Sequence, residues 1–179
     1  MQAEAFPQLV ETYYAALYRF ALSLAKNSSD AGDLTQQTFF VWATKGGSLR
    51  DDSKVKSWLF TTLYREFLRS RRRGNRMVAI EDLGPAEQEI PDVETDLVAK
   101  MDAPLVMDAL QDVDEGFREP LTLFYLQDLS YLEIAEILSI PIGTVMSRLS
   151  RGKAQLRTLL AQKAKGGRVI EFPQQGVRP

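Results

Sequence analysis

The chain has 179 residues, with 22 Lys and Arg against 24 Asp and Glu, and it contains neither Cys nor His. Without thiols or imidazoles it cannot form a Cys/His zinc site, a disulfide or a histidine-activated nucleophile, so we expect no enzymatic activity and no cofactor. Its length suits one ordinary domain or two small ones. No apolar run approaches ~18 residues and no signal-peptide pattern is present, so we expect a cytoplasmic protein without membrane insertion.

Charge is distributed unevenly along the chain. Residues 50–76 carry nine basic and three acidic groups, residues 77–115 carry twelve acidic groups and one Lys, and residues 145–168 carry seven basic groups and no acid. Because a polyanion is attracted by local charge, two basic blocks that flank an acidic one fit nucleic-acid binding at two separate places. A solvated helix end explains the arginine run equally well.

Helical periodicity predicts three helices in the N-terminal part. Apolar residues at steps of three and four predict an amphipathic helix with one wide apolar face over residues 6–24. A second helix is predicted from near Asp30 to the Gly46-Gly47 pair. A third helix is predicted to be capped by Ser53 and to end in the basic run 71–74. Together these faces predict one small core.

The rest of the chain is predicted to contain an acidic linker and a second helical domain. The segment after the arginine run has scattered Gly and Pro among acids and no periodicity, which indicates a linker. Pro104 suits the first turn of a helix, whereas Pro120 must lie early in the next helix or kink it. The sequence therefore predicts an all-α fold with two small helical domains. The predicted parts are a domain at 1–76, a linker at 77–102, a domain at 103–165 and a loosely held tail at 166–179.

The sharpest local pattern is a predicted helix-turn-helix in residues 129–160. Ser130 and Glu133 form a capping box that begins a short helix, and Pro141 presets the start of the next helix. On that second helix, four polar residues at i, i+3, i+4 and i+7 share one face, which suits a DNA major groove because Arg can contact guanine with two hydrogen bonds. Surface arginines on hairpins that do not bind DNA give the same pattern. The four residues are Thr144, Ser147, Arg148 and Arg151.

Three segments resemble the bacterial extracytoplasmic function sigma factors of the sigma-70 superfamily. Residues 129–153 look like the family's promoter -35-reading end, residues 30–39 like its polymerase-binding segment, and Trp58-Leu-Phe with Arg71–Arg73 like its -10-binding segment. Order and spacing also agree, and the resemblance covers residues 6–163. It implies a protein without catalytic residues that binds core RNA polymerase and directs it to promoters.

The resemblance further implies that the second predicted helix docks on the polymerase clamp. Leu34 belongs to the inward stripe of that helix, so residues that point elsewhere, such as Asp33 and Phe40, are preferred as direct contacts. Gln37 stands where the family usually has Glu, which keeps a hydrogen-bonding group and weakens the electrostatic part of the contact. The predicted polymerase-binding residues are Asp30, Asp33, Leu34, Gln36, Gln37 and Phe40.

The resemblance assigns promoter melting at -10 to the third predicted helix. Aromatic stacking of roughly 1 to 3 kcal/mol per base would help to capture an unstacked base, and arginines would hold the DNA backbone. Trp58 fits core packing better than base stacking. Arg65 and Arg69 depart from the family's Asn and Asp, which leaves the -10 base preference open. The predicted -10 residues are Phe60, Tyr64, Arg65, Arg69, Arg71, Arg72, Arg73 and Arg76; Lys153 joins the -35 residues.

Three functional classes are compatible with these patterns. The preferred class is a sigma factor, whose partners would be core RNA polymerase, promoter DNA and an anti-sigma factor. A free-standing helix-turn-helix regulator and a protein adaptor are the alternatives, and two dissimilar basic domains joined by an acidic segment favour the first class. We expect the two domains to grip separate parts of one DNA site. A rigid fusion of them, with Thr144 and Arg148 packed inward, would contradict that expectation.

Overall fold

The computed structural model describes residues 5–74 and 103–165. Within these ranges the chain folds into helices and contains no β-strand, which confirms the predicted all-α class. The predicted acidic linker, Arg76 and the predicted tail lie outside the described residues. The helices are α1 (Ala5–Ala25), α2 (Ser28–Lys45), α3 (Val55–Arg73), α4 (Ala103–Gln111), α5 (Glu115–Gln127), α6 (Tyr131–Leu138) and α7 (Ile142–Lys165), with short 3-10 turns at Gly46–Ser48 and Asp52–Lys54.

Helices α1 to α3 form the N-terminal domain, whose core follows the predicted apolar face of α1. Phe20 on α1 is fully buried, and its ring centroid lies 5.5 Å from that of Phe60 on α3. Helix α2 begins after Asn27, whose side-chain oxygen accepts a hydrogen bond from the backbone nitrogen of Asp30 (2.8 Å). A side-chain cap of this kind satisfies a backbone donor that the first turn leaves unpaired.

The predicted cap of α3 is wrong. Asp51, not Ser53, caps the 3-10 turn that leads into α3, because the Ser53 backbone nitrogen donates to the Asp51 carboxylate (3.0 Å). A hydrogen bond from the Ser53 hydroxyl to the same carboxylate, together with this backbone bond, holds the pKa of Asp51 below its ordinary value. The other end of α3 is as predicted, because the helix ends at Arg73 and Gly74 follows it.

Helices α4 to α7 form the C-terminal domain, which contains the predicted helix-turn-helix in α6 and α7. Ser130 and Glu133 make both hydrogen bonds of the capping box at the start of α6. Pro120 lies inside α5, in its second turn. Helix α7 crosses α5 closely at Gly152, where an added Cβ would lie 2.8 Å from Cδ1 of Leu121. Because Gly152 has no side chain, the two helices can approach each other this closely beside the core.

The two domains pack directly against each other. Helix α1 contacts α4 and α5 as well as α2 and α3, and α3 contacts α6, so the buried apolar residues form one continuous cluster. The three N-terminal helices share a core as predicted, and that core continues into the core of the C-terminal domain. Helices α2 and α3 do not use up the wide apolar face of α1, and the remaining surface packs on the C-terminal domain. Thr144 and Arg148 are half-buried and lie outside this core.

No helix in the described ranges is long and apolar enough to cross a membrane.

Candidate nucleic-acid interface

The polar face of α7 is held in place by the turn that precedes it. The Pro141 carbonyl accepts hydrogen bonds from the backbone nitrogens of Thr144 (2.9 Å) and Val145 (3.1 Å), which begins the helix. Val145 and Leu149 are buried, so the opposite side of α7 is fixed against the core. The structure thus brings together the predicted -35 residues, all half-buried on one helix: Thr144, Ser147, Arg148 and Arg151.

Ser139 closes the turn of the helix-turn-helix in a left-handed conformation, with φ 54° and ψ 45°. The Ser139 nitrogen donates to the Glu136 carbonyl (3.3 Å), and the Ile140 nitrogen donates to the Ala135 carbonyl (3.1 Å). These two bonds form a Schellman motif, which usually has Gly at the left-handed position. A serine there costs about 1 to 2 kcal/mol of backbone strain. The chain keeps the turn geometry although Ser139 stands where glycine is usual.

Lys153 contacts aromatic rings of its own domain. Its ammonium nitrogen lies 4.7 Å from the ring centroid of Phe124 and 5.8 Å from that of Tyr125, both on α5. A cation over an aromatic face is stabilised by roughly 0.5 to 2 kcal/mol, depending on its exposure to water. This contact supplies a structural role for Lys153, and its assignment to the -35 surface stays a prediction.

Two predicted -10 residues of α3 are buried in this structure. Phe60 is fully buried and Tyr64 is 6% exposed, and both rings pack near Phe20. The prediction that they stack on DNA bases is therefore wrong for this arrangement of the helices. Both positions, like Phe67, continue the core period of α3. Trp58 is half-buried, and its ring centroid lies 5.1 Å from that of Trp42 in an edge-to-face contact. This agrees with the prediction that Trp58 packs in the core and does not stack on bases.

The arginines of α3 differ in their solvent exposure and in their contacts with the rest of the protein. Arg65 and Arg69 are exposed, and Arg69 pairs with Glu66 on the same helix (2.8 Å). Arg71 is half-buried, lies over the Phe67 ring at 5.4 Å and pairs with Glu115 of the C-terminal domain. Exposed residues at the very end of the helix complete the predicted basic surface: Arg72 and Arg73.

The exposed side of α2 contains most of the predicted polymerase-binding residues. Phe40 is 64% exposed, an unusual degree for a large apolar side chain. Leu34 is only 8% exposed and packs beneath the surface, as its place in the inward stripe of the helix predicted. The Asp30 carboxylate accepts a hydrogen bond from the Asn27 amide (2.7 Å) at the helix start. The exposed members of the set are Asp30, Asp33, Gln36, Gln37 and Phe40.

An open cleft of about 830 Å³ lies between α2, the end of α3 and the start of α5. Asp33 and Gln37 line one side, and Arg69 and Arg73 line another. Glu115 of the C-terminal domain also reaches this cleft. The structure therefore places predicted polymerase-binding residues close to predicted -10 residues.

Glu119 on α5 was not singled out by the sequence reasoning. It is 1% exposed, and its carboxylate accepts a hydrogen bond from the Tyr64 hydroxyl (3.1 Å). Burial raises the pKa of Glu119 to about 7 against the opposing effects of that hydrogen bond and of the Arg148 and Arg118 charges. Burial likewise raises the pKa of Tyr64. The available signal was periodicity, because Glu119 lies one helical turn before the buried Leu123.

Arg118, the neighbour of Glu119, is also buried and has a structural role. Its guanidinium donates to the carbonyls of Val113 (3.0 Å) and Gln111 (3.4 Å), at the end of α4. Cations near a helix C-terminus pair with its unsatisfied carbonyls and with the negative end of the helix dipole. Burial nevertheless lowers the pKa of Arg118.

Comparison with known proteins identifies the family of both domains. Residues 9–77 match the family "Sigma-70 region 2", and residues 105–156 match the family "Sigma-70, region 4". The chain is 31% identical to the ECF RNA polymerase sigma factor SigM of Bacillus subtilis over 164 residues, which cover 85% of this chain and 93% of that protein. It is 33% identical to the ECF RNA polymerase sigma factor SigE of Mycolicibacterium smegmatis over 87% of its own length, and it spans 61% of that relative.

A solved structure shares the fold. The sigma factor RpoE of Bartonella quintana, determined in complex with the anti-sigma factor NepR, is 30% identical to this chain. The match has a TM-score of 0.67 and covers 89% of this chain and 98% of RpoE. The helix-turn-helix, the exposed α2 surface and these relatives lead to one conclusion: the chain belongs to the extracytoplasmic function (ECF) family of sigma-70 factors.

Proposed function

We propose that this protein is a transcription initiation factor that binds core RNA polymerase and directs it to specific promoters. The observation that carries the proposal is the division of surfaces between α2 and α7. Helix α2 presents an exposed apolar and polar surface around Phe40, whereas α7 presents an arginine-containing face in a helix-turn-helix. One surface suits a protein partner and the other suits DNA.

The proposal assigns each surface to one partner. The exposed side of α2 docks on the polymerase, the arginines at the end of α3 contact the -10 region, and the polar face of α7 reads the -35 element. Arginine supplies both the guanine contact and the phosphate contact that such reading needs. The domain boundaries predicted from the sequence, with the acidic linker between them, stay part of this proposal.

The protein contributes binding energy and no bond chemistry. Phosphodiester formation belongs to the polymerase, with which the factor works in the cytoplasm. RpoE, the structural relative, was determined in complex with an anti-sigma factor. We propose that an anti-sigma factor also controls this chain, by covering surfaces that the polymerase or DNA would otherwise use.

A free-standing helix-turn-helix regulator is the less favoured alternative. Such a protein usually binds as a dimer to two half-sites about one helical turn apart. It would not need the exposed α2 surface, and the family matches include both a region 2 and a region 4. Association with core polymerase separates the two functions, because only the initiation factor requires it.

The test is co-purification of the full chain with core RNA polymerase, followed by transcription from a cognate promoter. Phe40→Ala should weaken polymerase association by about tenfold or more, because an exposed aromatic at a protein interface commonly contributes about 2 kcal/mol. Leu132→Ala is the matched control, because Leu132 is a similarly exposed apolar residue (60%) on α6. It should bind the polymerase normally.

Two results would contradict the proposal. A chain that fails to associate with core polymerase is not an initiation factor, whatever DNA it binds. Equal losses for Phe40→Ala and Leu132→Ala would show that the assigned α2 surface is not where the polymerase binds.

A further inference from the structure

Polar contacts as well as apolar packing join the two domains of the free chain. The Tyr64 hydroxyl on α3 donates to Oε2 of Glu119 on α5 at 3.1 Å. The Lys56 ammonium on α3 donates to the Gln127 carbonyl at the end of α5, and the Gln127 amide donates to the Ala16 carbonyl on α1 (3.3 Å). Each bond links the N-terminal domain to α5, so it exists only while the domains are in contact.

The Tyr64–Glu119 pair is the most deeply buried of these contacts. Tyr64 is 6% exposed and Glu119 is 1% exposed, so neither group can exchange its partner for water without movement of the domains. A buried polar group that loses its hydrogen bond destabilises the state in which it is buried. We call the state in which α1 and α3 pack on the C-terminal domain the closed arrangement. The stability of this arrangement therefore depends on the Tyr64–Glu119 bond more than on the exposed contacts around it.

The closed arrangement also engages residues that the proposed function assigns to DNA. The charge of Arg148 on α7 acts on both Tyr64 and Glu119. Arg71 at the basic end of α3 pairs with Glu115 of α5. In the free chain the -10 residue Arg71 thus has an internal partner, and the -35 residue Arg148 lies near enough to Tyr64 and Glu119 for its charge to act on both.

The closed arrangement cannot match the spacing of a promoter. Elements at -10 and -35 are about 25 base pairs apart, or roughly 85 Å along DNA at about 3.4 Å per base pair. Between Gly74 and Ala103 the sequence has 28 residues. At about 3.3 to 3.6 Å per residue, that length reaches at most roughly 90 to 100 Å. The chain is long enough to span both elements only after α3 and α6 have separated.

Resting on the proposed function, we infer that the Tyr64–Glu119 hydrogen bond is an intramolecular latch, which holds the free chain closed and must break before both promoter elements can be engaged. The latch is part of the chain itself and acts without a second protein. A promoter favours the open chain, because both of its elements can be engaged only when the domains are apart.

The latch responds to protons because Glu119 is buried, and its hydrogen bond and the neighbouring positive charges offset the effect of burial on its pKa only in part. In the closed state burial raises its pKa to about 7, whereas a carboxyl exposed in the open state has an ordinary pKa of about 4.3. A raised pKa means that closing binds a proton, so this contribution to closure is complete below about pH 4.3, decreases as the pH rises from there to about 7, and is lost above that. The charged groups that face Glu119 are Glu115 and Arg118 on its own helix, Arg148 on α7 and the Tyr64 hydroxyl on α3.

The experiment measures one distance between the domains in the full chain. The sequence contains no Cys, so Ala15→Cys on α1 and Ala161→Cys on α7, both at exposed positions, take a pair of spin labels without other reactive thiols. We expect one short distance at pH 6, and a second, longer distance that grows in at pH 8.5. Addition of core polymerase together with promoter DNA should convert the short distance to the long one at either pH.

Two latch variants should move the distances in opposite directions. Tyr64→Phe removes the donor and should increase the long-distance fraction at both pH values. Glu119→Gln keeps an acceptor without the charge, so it should stay closed at pH 8.5 and lose the pH dependence. Tyr14→Phe is the matched control on the exposed side of α1 and should behave as the unsubstituted chain does. A misfolded protein would not produce the closed result expected for Glu119→Gln.

A long distance in the unsubstituted free chain at pH 6 would overturn the latch. So would a Tyr64→Phe distribution identical to that of the unsubstituted chain. The distances in the free chain are measured without polymerase, so they test the latch even if the chain fails to bind polymerase. That failure would overturn the proposed function instead.

Discussion

The basic end of α3 and the polar face of α7 both contain arginines, but the two surfaces are built differently. Arg72 and Arg73 lie in the last turn of α3, exposed and beyond the last buried residue of the helix. Arg148 and Arg151 lie within α7, half-buried beside residues that are fixed in the core. The first surface can deliver charge over a range of positions, whereas the second holds its guanidinium groups in a defined geometry.

The positions of these arginines along their helices sharpen the contrast. Cations in the last turn of a helix are stabilised by its dipole, by about 0.3 to 1 kcal/mol each, so the helix itself gives the arginines of α3 a structural reason. Arg148 lies in the second turn of α7, beyond the first turn in which the dipole acts, so the dipole does not explain this arginine. We therefore predict that α7 reads the DNA sequence and that the end of α3 attracts phosphates without reading bases.

The largest effect that tests this contrast is expected at α7. Arg148→Ala should lower the affinity of the holoenzyme for a promoter by about 10- to 100-fold, because a two-bond contact to guanine contributes about 1 to 3 kcal/mol of discrimination. The loss should disappear when the -35 element is scrambled, and polymerase association should stay normal. Binding isotherms on the two DNA templates measure the effect.

Arg157→Ala is the control for that substitution. Arg157 is exposed on the same helix but lies outside the predicted -35 face. If Arg157→Ala and Arg148→Ala weaken binding equally, or if the Arg148 loss persists on the scrambled template, α7 acts through charge alone. The contrast between the two basic surfaces would then be broken.

A smaller effect is expected at α3. Arg72→Ala or Arg73→Ala should each weaken promoter binding by less than about tenfold on every template, and should lower the slope of log affinity against log salt by about one unit. The reason is that a phosphate contact releases counterions and reads no base. Salt titrations of the holoenzyme measure it. A loss that depends on the -10 sequence would instead assign base reading to the end of α3.

The sequence was sufficient for most elements of this fold because their signals are local. The capping box at Ser130, the proline before α7 and the 3.6-residue period each depend on a few neighbouring residues, and each was found where it was predicted. The exposed side of α2, including Phe40, followed from the same period. Local patterns of this kind are visible in one chain without any knowledge of its tertiary contacts.

The failures come from contacts between distant parts of the chain. Phe60 and Tyr64 were predicted to be available for DNA because the family resemblance assigned promoter melting to this helix, whereas Phe60 is covered by Phe20 of α1. The Tyr64 hydroxyl in fact meets Glu119, which is 55 positions away in the sequence. Periodicity shows that a position is apolar or inward, but not which helix covers it. For the same reason the buried Glu119 was not recognised, because its partner belongs to the other domain.

The geometry assigned to α7 also depends on its distance from α5, which a single glycine sets. Gly152 directly follows Arg151, and an added Cβ would lie 3.0 Å from Cβ of Phe117 and 2.8 Å from Cδ1 of Leu121. Gly152→Ala gains up to about 1 kcal/mol of helix propensity but incurs an overpacking cost of about 1 to 3 kcal/mol. We expect net destabilisation of about 1 kcal/mol, or roughly 2 to 4 °C in Tm.

Gly116→Ala provides the matched control, because a Cβ at Gly116 on α5 meets nothing within 4 Å. Gly116 lies in the first turn of α5, so alanine there gains less propensity than in a helix interior but meets no steric cost, and the Tm should rise or stay unchanged. Thermal unfolding of the two variants separates the effects. If α7 reads DNA by fixed geometry, Gly152→Ala should also weaken -35-dependent binding, since displacement of α7 moves Arg148 and Arg151 together. Normal -35 recognition by a destabilised Gly152→Ala protein would show that the α7 face tolerates displacement, as the end of α3 is expected to do.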